Sequence, residues 1–240
     1  MIIEGALAIK AAIISERRII NQVMIDQTKQ SKDIAFILRL CEEKSIKVVR
    51  KVRSEIDALC VGKTHGGIIA DCELRTFQDL QSIIKQSDGY ILLVEGVEDP
   101  FNLGQIIRTA YAAGCDGILL NFKDFSYSEH TLLKSSAGAF DYLPIVLSHD
   151  LKVDLDLLKK AHFRIFSALR SPDSRSYTDV DYSGNLVLAV GGELRGLSTK
   201  VIDATDVSIE ITYPKKVRVA LNAVSACALL SFEVLRRRQS

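Results

Sequence analysis

Two polar side chains in the middle of the chain, Asn102 and Arg108, stand where a buried strand is expected to turn into a helix. The apolar run from Tyr90 to Val94 predicts the strand, and apolar residues at helical spacing predict a helix over 103–113. Asn102 has an ordinary explanation as the residue that caps this helix. Arg108 has none, because a guanidinium set among isoleucines and alanines would be buried and would need a partner. Arg108 is therefore the stronger candidate for chemistry.

A glycine-rich turn, V-G-G-E-L-R-G-L-S, follows an apolar strand pattern at 186–190 and surrounds Glu193 with Gly191, Gly192 and Gly196. Glycines at a strand end let the backbone approach a ligand and present its N–H groups, although a plain strand-to-helix turn uses them too. A carboxylate between the glycines repels phosphate. It suits a cationic or hydroxyl-bearing ligand, and S-adenosylmethionine carries both a sulfonium charge and ribose hydroxyls.

A third segment, from Ile211 to Ala226, joins a basic loop to an apolar helix expected over 220–237. Near the start of this helix, Leu221 is followed by one amide side chain, Asn222. Taken alone, the segment is equally typical of a loop that ends in a polar helix-starting residue.

The signatures of several common enzyme classes are missing from the sequence. It contains no G-x-G-x-x-G after a first strand, no G-x-x-x-x-G-K-[ST], no G-x-S-x-G and no His or Cys pair at metal-ligand spacing. These absences argue against dehydrogenases, P-loop NTPases, α/β-hydrolases and zinc hydrolases, and no metal is expected.

Composition indicates a globular protein: 48% of the 240 residues are hydrophobic and 25% are charged. The net charge of +1 means that an RNA-binding function would need a local basic patch. No basic leader precedes the apolar N-terminus, and no apolar run reaches the roughly 20 residues needed to span a bilayer, so a cytoplasmic protein without a membrane partner is expected. The five cysteines include no C-x-x-C pair and are expected to be reduced and mostly buried.

Hydrophobic patterns predict an α/β protein in two parts. Residues 1–75 alternate β-branched runs with helical segments and form a small α/β unit, and residues 76–88 predict a linking helix. Residues 89–240 contain several short apolar strands separated by helices, which predicts a mostly parallel sheet covered by helices on both faces.

Basic residues cluster in three places, each with an ordinary explanation as a solvated face or helix end. Together they offer the local positive charge that binding of RNA phosphates requires. The clusters are Lys47, Arg50, Lys51 and Arg53; Lys215, Lys216 and Arg218; and Arg236, Arg237 and Arg238.

Taken together, these segments resemble the SpoU (TrmH-like) family of RNA ribose 2′-O-methyltransferases, within the SPOUT superfamily. The family pattern D-P-x-N-x-G-x-x-x-R-T-A matches 99–110, G-x-E-x-x-G-L matches 191–197, and the Leu-Asn pair of the third motif matches 221–222. Residues 134–139 are similar to the family's S-x-G-A stretch, and 64–70 to part of its small substrate-binding domain. The resemblance covers nearly the whole chain.

The resemblance implies an S-adenosylmethionine-dependent enzyme with a deep trefoil knot in residues 89–240, one of the rare knotted folds. It also implies a homodimer whose active site draws on both chains, and an RNA substrate bound in part by residues 1–75, with ribosomal RNA favoured over transfer RNA. The positions carried over to the cofactor site are Gly191, Ile211 and Leu221, with Gly192 and Gly196 shaping it. The positions expected to face the target ribose are Asn102, Arg108, Glu193 and Asn222.

Three departures from the family pattern bear on this expectation. Ala220 stands where the family has a serine before Leu-Asn, and the usual I-P-x-x-G reads I-T-Y-P-K-K from Ile211, so the cofactor loop is expected to differ. Phe101 and the Gly66-Gly67 pair occupy places where the family often has His or Gln-Gly.

Arg108 is expected to assist removal of the ribose proton, with Glu193 and Asn222 orienting it and the ribose. It would either bind the adjacent phosphate or act as the base, and the second role requires an unusual guanidinium. Two alternatives remain: a non-catalytic or weakened RNA-binding paralogue, suggested by Ala220, and a SPOUT enzyme that methylates a base nitrogen.

Overall fold

The computed structural model describes residues 1–60, 62, 64–214 and 219–239. The strands are β1 (Ile2–Glu4), β2 (Ile20–Asp26), β3 (Val48–Lys51), β4 (Ile68–Cys72), β5 (Tyr90–Glu95), β6 (Gly117–Asn121), β7 (Ile145–Ser148), β8 (Arg164–Ala168), β9 (Arg175–Ser176), β10 (Leu186–Gly191) and β11 (Val207–Glu210). The helices are α1 (Ala6–Ser15), α2 (Lys32–Glu43), α3 (Arg53–Leu59), α4 (Pro100–Ala112), α5 (Glu129–Ser135), α6 (Ala139–Tyr142), α7 (Leu151–Lys160), α8 (Thr199–Ala204) and α9 (Ala223–Arg238). Within the described residues, none of the helices has the length and apolar character needed to cross a membrane.

The chain forms two compact units. Unit 1 consists of Met1–Thr76 together with Asp124–Tyr142, and unit 2 consists of Phe77–Lys123 together with Leu143–Ser240. The division into domains at 1–75, 76–88 and 89–240 stays a prediction.

Unit 1 contains a four-stranded sheet with the order β1-β4-β2-β3, in which β2 and β3 are parallel and the other neighbours are antiparallel. Helix α2 is capped by Ser31, whose side chain accepts a hydrogen bond from the Ile34 N–H at 3.2 Å. Strand β1 has only three residues, too few for a period-2 pattern, and sequence reasoning missed it.

A buried ionic cluster holds α5 and α6 within unit 1. Arg18 is fully buried and donates to both carboxylate oxygens of Asp141, at 2.9 and 2.7 Å, and to Glu129 at 2.9 Å. Close backbone packing adds to this, since a Cβ at Gly138 would lie 2.8 Å from the Ala11 Cβ. The stretch 134–139, similar to the family's S-x-G-A stretch, therefore packs with the N-terminal residues of its own unit.

Unit 2 contains a seven-stranded parallel sheet with the order β7-β6-β5-β10-β8-β11-β9. Helices α7 and α8 pack on the face that carries Ile91 and Leu93. Helix α9 covers the other face, where the Tyr90 hydroxyl donates to Ser231 Oγ at 2.9 Å, and α4 packs against α9. The predicted parallel α/β fold with helices on both faces is confirmed.

Strand order in unit 2 locates the edge at which a ligand is expected. From β5 the chain proceeds outward through β6 and β7, and it then crosses to the other side of β5 to build β8, β9, β10 and β11. The reversal falls between β5 and β10. In open parallel sheets, ligands bind beyond the carboxyl ends of the strands at such a switch point.

The prediction of a linking helix over 76–88 is wrong. The segment contains only a 3₁₀ helix, Leu80–Ile83, and Gln78 instead hydrogen-bonds with the backbone of Ile145 through its own N–H and its side chain, at 2.9 and 3.1 Å. Leu80 and Ile83 are buried in the core. Their i, i+3 spacing is also the spacing of one face of an α-helix, which explains the wrong prediction. The segment instead runs beside the edge strand β7.

Candidate cofactor and acceptor site

The glycine turn after β10 packs directly on the turn after β5. The Gly192 N–H donates to the Glu95 carbonyl at 2.7 Å, and a Cβ at Gly192 would lie 2.2 Å from the carbonyl oxygen of Gly96. A Cβ at Gly191 would lie 2.4 Å from the carbonyl carbon of Gly196. Because side chains have no room at either position, the two strand ends form a continuous surface of backbone groups.

The turn also closes on itself and leaves its tip in solvent. Gly192 and Gly196 form an antiparallel bridge, in which the Gly196 N–H donates to the Gly192 carbonyl at 3.0 Å. Glu193 and Leu194 at the tip are exposed, and Glu193 has no hydrogen-bond or ion-pair partner within the described part of the chain. The carboxylate is therefore available to a ligand.

Glu95, which sequence reasoning missed, connects three elements at this edge. Its carboxylate accepts from the Ser198 N–H at 2.7 Å, directly after the glycine turn, and from the Asn121 side-chain amide at 3.3 Å, at the end of β6. The available signal was an acidic residue that ends a fully apolar strand run immediately before Gly96.

Asn102 lies in the first turn of α4 and does not cap the helix, so the expectation that it starts the helix is wrong. Helix α4 begins at Pro100, and the Asp99 carboxylate accepts from the N–H groups of Phe101 and Asn102 at 3.3 and 3.1 Å. Proline at the first helical position is typical of this arrangement. The Asn102 side chain makes no hydrogen bond among residues 1–60, 62, 64–214 and 219–239.

Arg108 is exposed, so the expectation of a buried guanidinium is wrong. The buried positions of α4, which include Leu103 and Ile107, lie on one face. At about 100° per residue, Arg108 falls on the opposite face, even though apolar residues flank it in sequence. No ion pair or hydrogen bond engages its guanidinium in the described structure.

The segment around Asn222 begins α9 later than expected, at Ala223 and not at 220. The Asn222 side chain accepts from the Ser225 N–H at 2.8 Å and so caps the helix. The Leu221 N–H donates to the Tyr213 hydroxyl at 3.0 Å. Ile211 directly follows β11, at the same carboxyl edge of the sheet as the glycine turn.

Comparisons with known proteins identify the family. A profile of the SpoU rRNA Methylase family matches residues 89–232, and a profile described as RNA 2′-O ribose methyltransferase substrate binding matches residues 2–78. This chain belongs to the SpoU family of RNA methylases. The family assignment made from the three sequence motifs is confirmed.

Similar proteins share nearly the full length of this SpoU-family chain. One from Staphylococcus aureus (strain COL), assigned to the TrmH family of tRNA/rRNA methyltransferases, is 30% identical over 241 residues and covers 99% of this chain and 96% of its own. A protein from Staphylococcus saprophyticus with the same assignment is 30% identical over 243 residues, with the same coverage.

Two solved structures with the same fold contain the cofactor. The SpoU methyltransferase AviRb from Streptomyces viridochromogenes, in complex with AdoMet, superposes with a TM-score of 0.80 at 20% identity, covering 100% of this chain and 91% of AviRb. The AdoMet-bound rRNA methyltransferase from Sinorhizobium meliloti superposes with a TM-score of 0.81 at 21% identity, covering 100% of this chain and 88% of that protein. AdoMet is S-adenosylmethionine, the cofactor expected from the glycine turn.

In the region that matches the substrate-binding profile, the four predicted RNA-binding cations differ in their surroundings. Arg50 donates to the carbonyls of Asp26 and Lys29 at 3.2 and 3.1 Å. Lys51 forms an ion pair with Glu55 at 3.0 Å, and Arg53 forms one with Asp57 at 2.8 Å. Lys47 is exposed and has no such partner in the described structure, which makes it the most available of the four.

The C-terminal arginines are engaged within unit 2. Arg236 and Arg237 pair with Glu233 at 2.7 and 3.0 Å. Arg238 donates to the backbone carbonyls of Asp88, Gly89, Tyr182 and Gly184. The remaining cluster predicted to offer positive charge, Lys215, Lys216 and Arg218, lies outside the described residues.

The thiols of unit 2 are not nucleophiles. Burial raises the pKa of Cys115 and of Cys227 to about 12, so both stay protonated. All five cysteines are free and four are buried, as expected from the sequence. Among the described residues, no group of three or more His, Cys, Asp or Glu side chains is arranged to hold a metal ion.

Proposed function

We propose that this SpoU-family enzyme uses S-adenosylmethionine to methylate a ribose 2′-hydroxyl in structured RNA, with ribosomal RNA favoured over transfer RNA. The observation that carries the proposal is the packing of Gly191 and Gly192 against Glu95 and Gly96 at the switch point of the sheet. This surface offers backbone donors and acceptors to a cofactor and has no room for side chains.

The fit to S-adenosylmethionine rests on charge as well as shape. Glu193 at the tip of the turn supplies a carboxylate without a partner in the described structure, which suits a sulfonium cation or ribose hydroxyls and disfavours a phosphate. Gly191, Ile211 and Leu221 would hold the cofactor, with Gly192 and Gly196 setting the turn. When bound, the cofactor supplies an electrophilic methyl group.

The acceptor side of the proposed site uses one exposed side chain, Arg108, and one half-buried side chain, Asn102. Asn102 and Arg108 on α4 have no partners in the described structure, so they can engage an RNA nucleotide without breaking contacts of the fold. We assign Arg108 to the phosphate beside the target ribose, because a guanidinium stays protonated and its charge favours ionisation of the hydroxyl. Asn102 would hold the ribose, and Asn222 would position the loop beside it through its cap of α9.

We also propose that two copies of the chain form a homodimer through α4 and α9. These helices pack on each other, and both carry large exposed apolar side chains: Phe101 and Tyr111 on α4, and Phe232 on α9. An aromatic surface of this kind is typical of a buried protein interface. Light scattering should give a dimer for the wild type and a monomer for Phe232→Glu, and a monomeric wild type would contradict the assignment.

Methyl transfer from tritiated S-adenosylmethionine to separated ribosomal and transfer RNA fractions tests the proposed function. The RNA should come from cells that lack this protein, so that its sites are unmodified. We expect label in ribosomal RNA. Label in transfer RNA alone would correct the substrate, and no transfer despite cofactor binding would support a non-catalytic paralogue.

A further inference from the structure

Phe122 and His149 form a stacked aromatic pair on the surface of unit 2. Their ring centroids lie 4.2 Å apart with an angle of 25° between the rings. Both side chains are exposed, and Phe122 keeps 57% of its surface in solvent. Single exposed aromatic residues are common, but two stacked rings from residues that directly follow adjacent strands form a preorganised flat surface.

Hydrogen bonds connect this pair to the proposed cofactor edge. Phe122 directly follows β6 and donates its N–H to the Ser148 carbonyl at 2.7 Å, at the end of β7. The preceding residue, Asn121, donates to Glu95, whose carbonyl accepts from Gly192. Since neighbouring strands lie roughly 4.8 Å apart, the end of β6 is about 10 Å from the glycine turn after β10.

The chemistry around the rings suits a nucleotide. Lys123 is exposed and has no ion-pair partner in the described structure, so it offers a cation to a phosphate. The Ser148 hydroxyl is buried without a hydrogen-bond partner among the described residues. A groove of about 330 Å³ begins beside His149. Its lining includes the apolar Leu80, Val146 and Val153 and the carboxylates of Asp79, Asp150 and Asp154, so a phosphate is expected on the Lys123 side of the rings and not in this groove.

We propose that Phe122 and His149 form a stacking platform, here called the β6–β7 platform, for a nucleobase of the RNA that flanks the methylated nucleotide. Every base has a π face, and aromatic side chains combined with a cation are the usual means of holding single-stranded RNA. The inference rests on the proposed RNA methylation and adds a binding position for the substrate strand. Bases splayed from a loop would reach this platform, whereas paired bases would not.

Fluorescence of a short single-stranded oligoribonucleotide that carries 2-aminopurine tests the platform directly. Stacking on Phe122 should quench the probe in the wild type. Phe122→Ala should remove the quenching and weaken binding roughly 5- to 150-fold, whereas Phe122→Trp should retain both. Leu157→Ala, which removes a similarly exposed apolar side chain from α7, is the matched control and should change neither.

Salt dependence separates the roles of the ring and the cation. Lys123→Gln should lower the slope of log affinity against log salt by about one, while Phe122→Ala should leave the slope unchanged. An unquenched probe with the wild type, or equal affinity of the wild type and Phe122→Ala, would overturn the platform. A change of oligomeric state in Phe122→Ala with unchanged probe binding would also overturn it, because a second copy would then cover the rings.

The same variants distinguish this inference from the proposed function. If the wild type transfers methyl groups to RNA and Phe122→Ala does so with an unchanged KM for RNA, the enzyme assignment stands and the platform is wrong. If the wild type transfers none but quenches the probe through Phe122, the platform stands and the assignment of activity fails. The affinity for S-adenosylmethionine should be equal in all variants, because the two rings follow β6 and β7, whereas the glycine turn follows β10.

Discussion

The glycine turn 191–197 and the first turns of α4 follow neighbouring strands of one sheet, yet their functional atoms are held in different ways. In the turn, backbone groups are fixed by close packing on Gly96 and by hydrogen bonds to Glu95. On α4, the side chains of Asn102 and Arg108 project from a regular helix and make no hydrogen bond or ion pair within the described structure. We therefore expect the cofactor side of the proposed site to be preorganised within one chain and the acceptor side to be completed by RNA or by a second copy.

Replacing Arg108 tests the acceptor side and should have the largest effect. Arg108→Ala should lower kcat for methyl transfer about 100- to 10,000-fold, because the charge that assists loss of the ribose proton is removed. The free energy of unfolding should change by less than about 0.5 kcal/mol, since the side chain has no partner in the described fold. Arg108→Lys should retain part of the rate if the contact is to phosphate.

The control for this variant is Arg39→Ala, which removes another exposed helical arginine, on α2. Steady-state assays and chemical denaturation measure both effects. An Arg108→Ala enzyme with unchanged kcat would remove Arg108 from the site, and one that loses stability would show that the side chain belongs to the fold.

Filling the glycine turn tests the cofactor side. A methyl group at Gly192 would meet the Gly96 carbonyl, so Gly192→Ala must displace one of the two strand ends. We expect the Kd for S-adenosylmethionine to rise about 100-fold by calorimetry. Gly196→Ala adds a methyl group where no atom lies within 4 Å and serves as the comparison, with a smaller loss from its positive φ of 62°. Equal affinities of wild type and Gly192→Ala would contradict the backbone-built site.

Glu95 should have an intermediate effect, because it fixes the turn without being part of it. Glu95→Ala removes the acceptor for the Ser198 N–H, and we expect the Kd for S-adenosylmethionine to rise about tenfold. Glu95→Gln keeps one carbonyl acceptor and should restore most of the affinity. If Glu95 served only to stabilise the fold, both variants would lose folding stability. An equal loss of stability in Glu95→Ala and Glu95→Gln would therefore argue against the role of Glu95 in positioning the glycine turn.

The smallest effect is expected in unit 1, where most of the predicted RNA-binding cations are engaged. Lys47→Gln should weaken RNA binding a few-fold and lower the salt slope by about one, because this ammonium has no partner in the described structure. Lys51→Gln should weaken RNA binding less than Lys47→Gln does, since Lys51 pairs with Glu55 at 3.0 Å. A larger loss for Lys51→Gln than for Lys47→Gln would contradict this ranking.

The sequence was sufficient for the sheet of unit 2 and for the glycine turn. The runs Tyr90–Val94 and Leu186–Val190 within β5 and β10 are fully apolar, the pattern of a parallel sheet buried on both faces. Gly191 and Gly192 could be proposed for the cofactor site from the sequence because they stand at the end of a strand. Glu95 was missed because its partners, Asn121 and the Ser198 N–H, are distant in sequence and meet only through the strand order.

The errors on α4 have a physical cause that was visible in the sequence. Asp99-Pro100 is a strong helix start, with an acidic cap and proline at the first position, and it precedes Asn102 by one turn. The assignment of Arg108 to a buried site came from its sequence neighbours, whereas its angular position on the helix decides its exposure. The cluster of Arg18, Asp141 and Glu129 joins residues more than 100 positions apart, so no local pattern could show it.

Alkaline hydrolysis of RNA labelled by this enzyme decides whether the methyl group lies on the ribose, because a 2′-O-methyl group removes the hydroxyl that alkali needs to cleave the adjacent phosphodiester. RNA from cells lacking the protein would be incubated with the enzyme and tritiated S-adenosylmethionine, hydrolysed, and separated by chain length. We expect label in alkali-resistant dinucleotides. Label in mononucleotides would place the methyl group on a base and would contradict the ribose assignment.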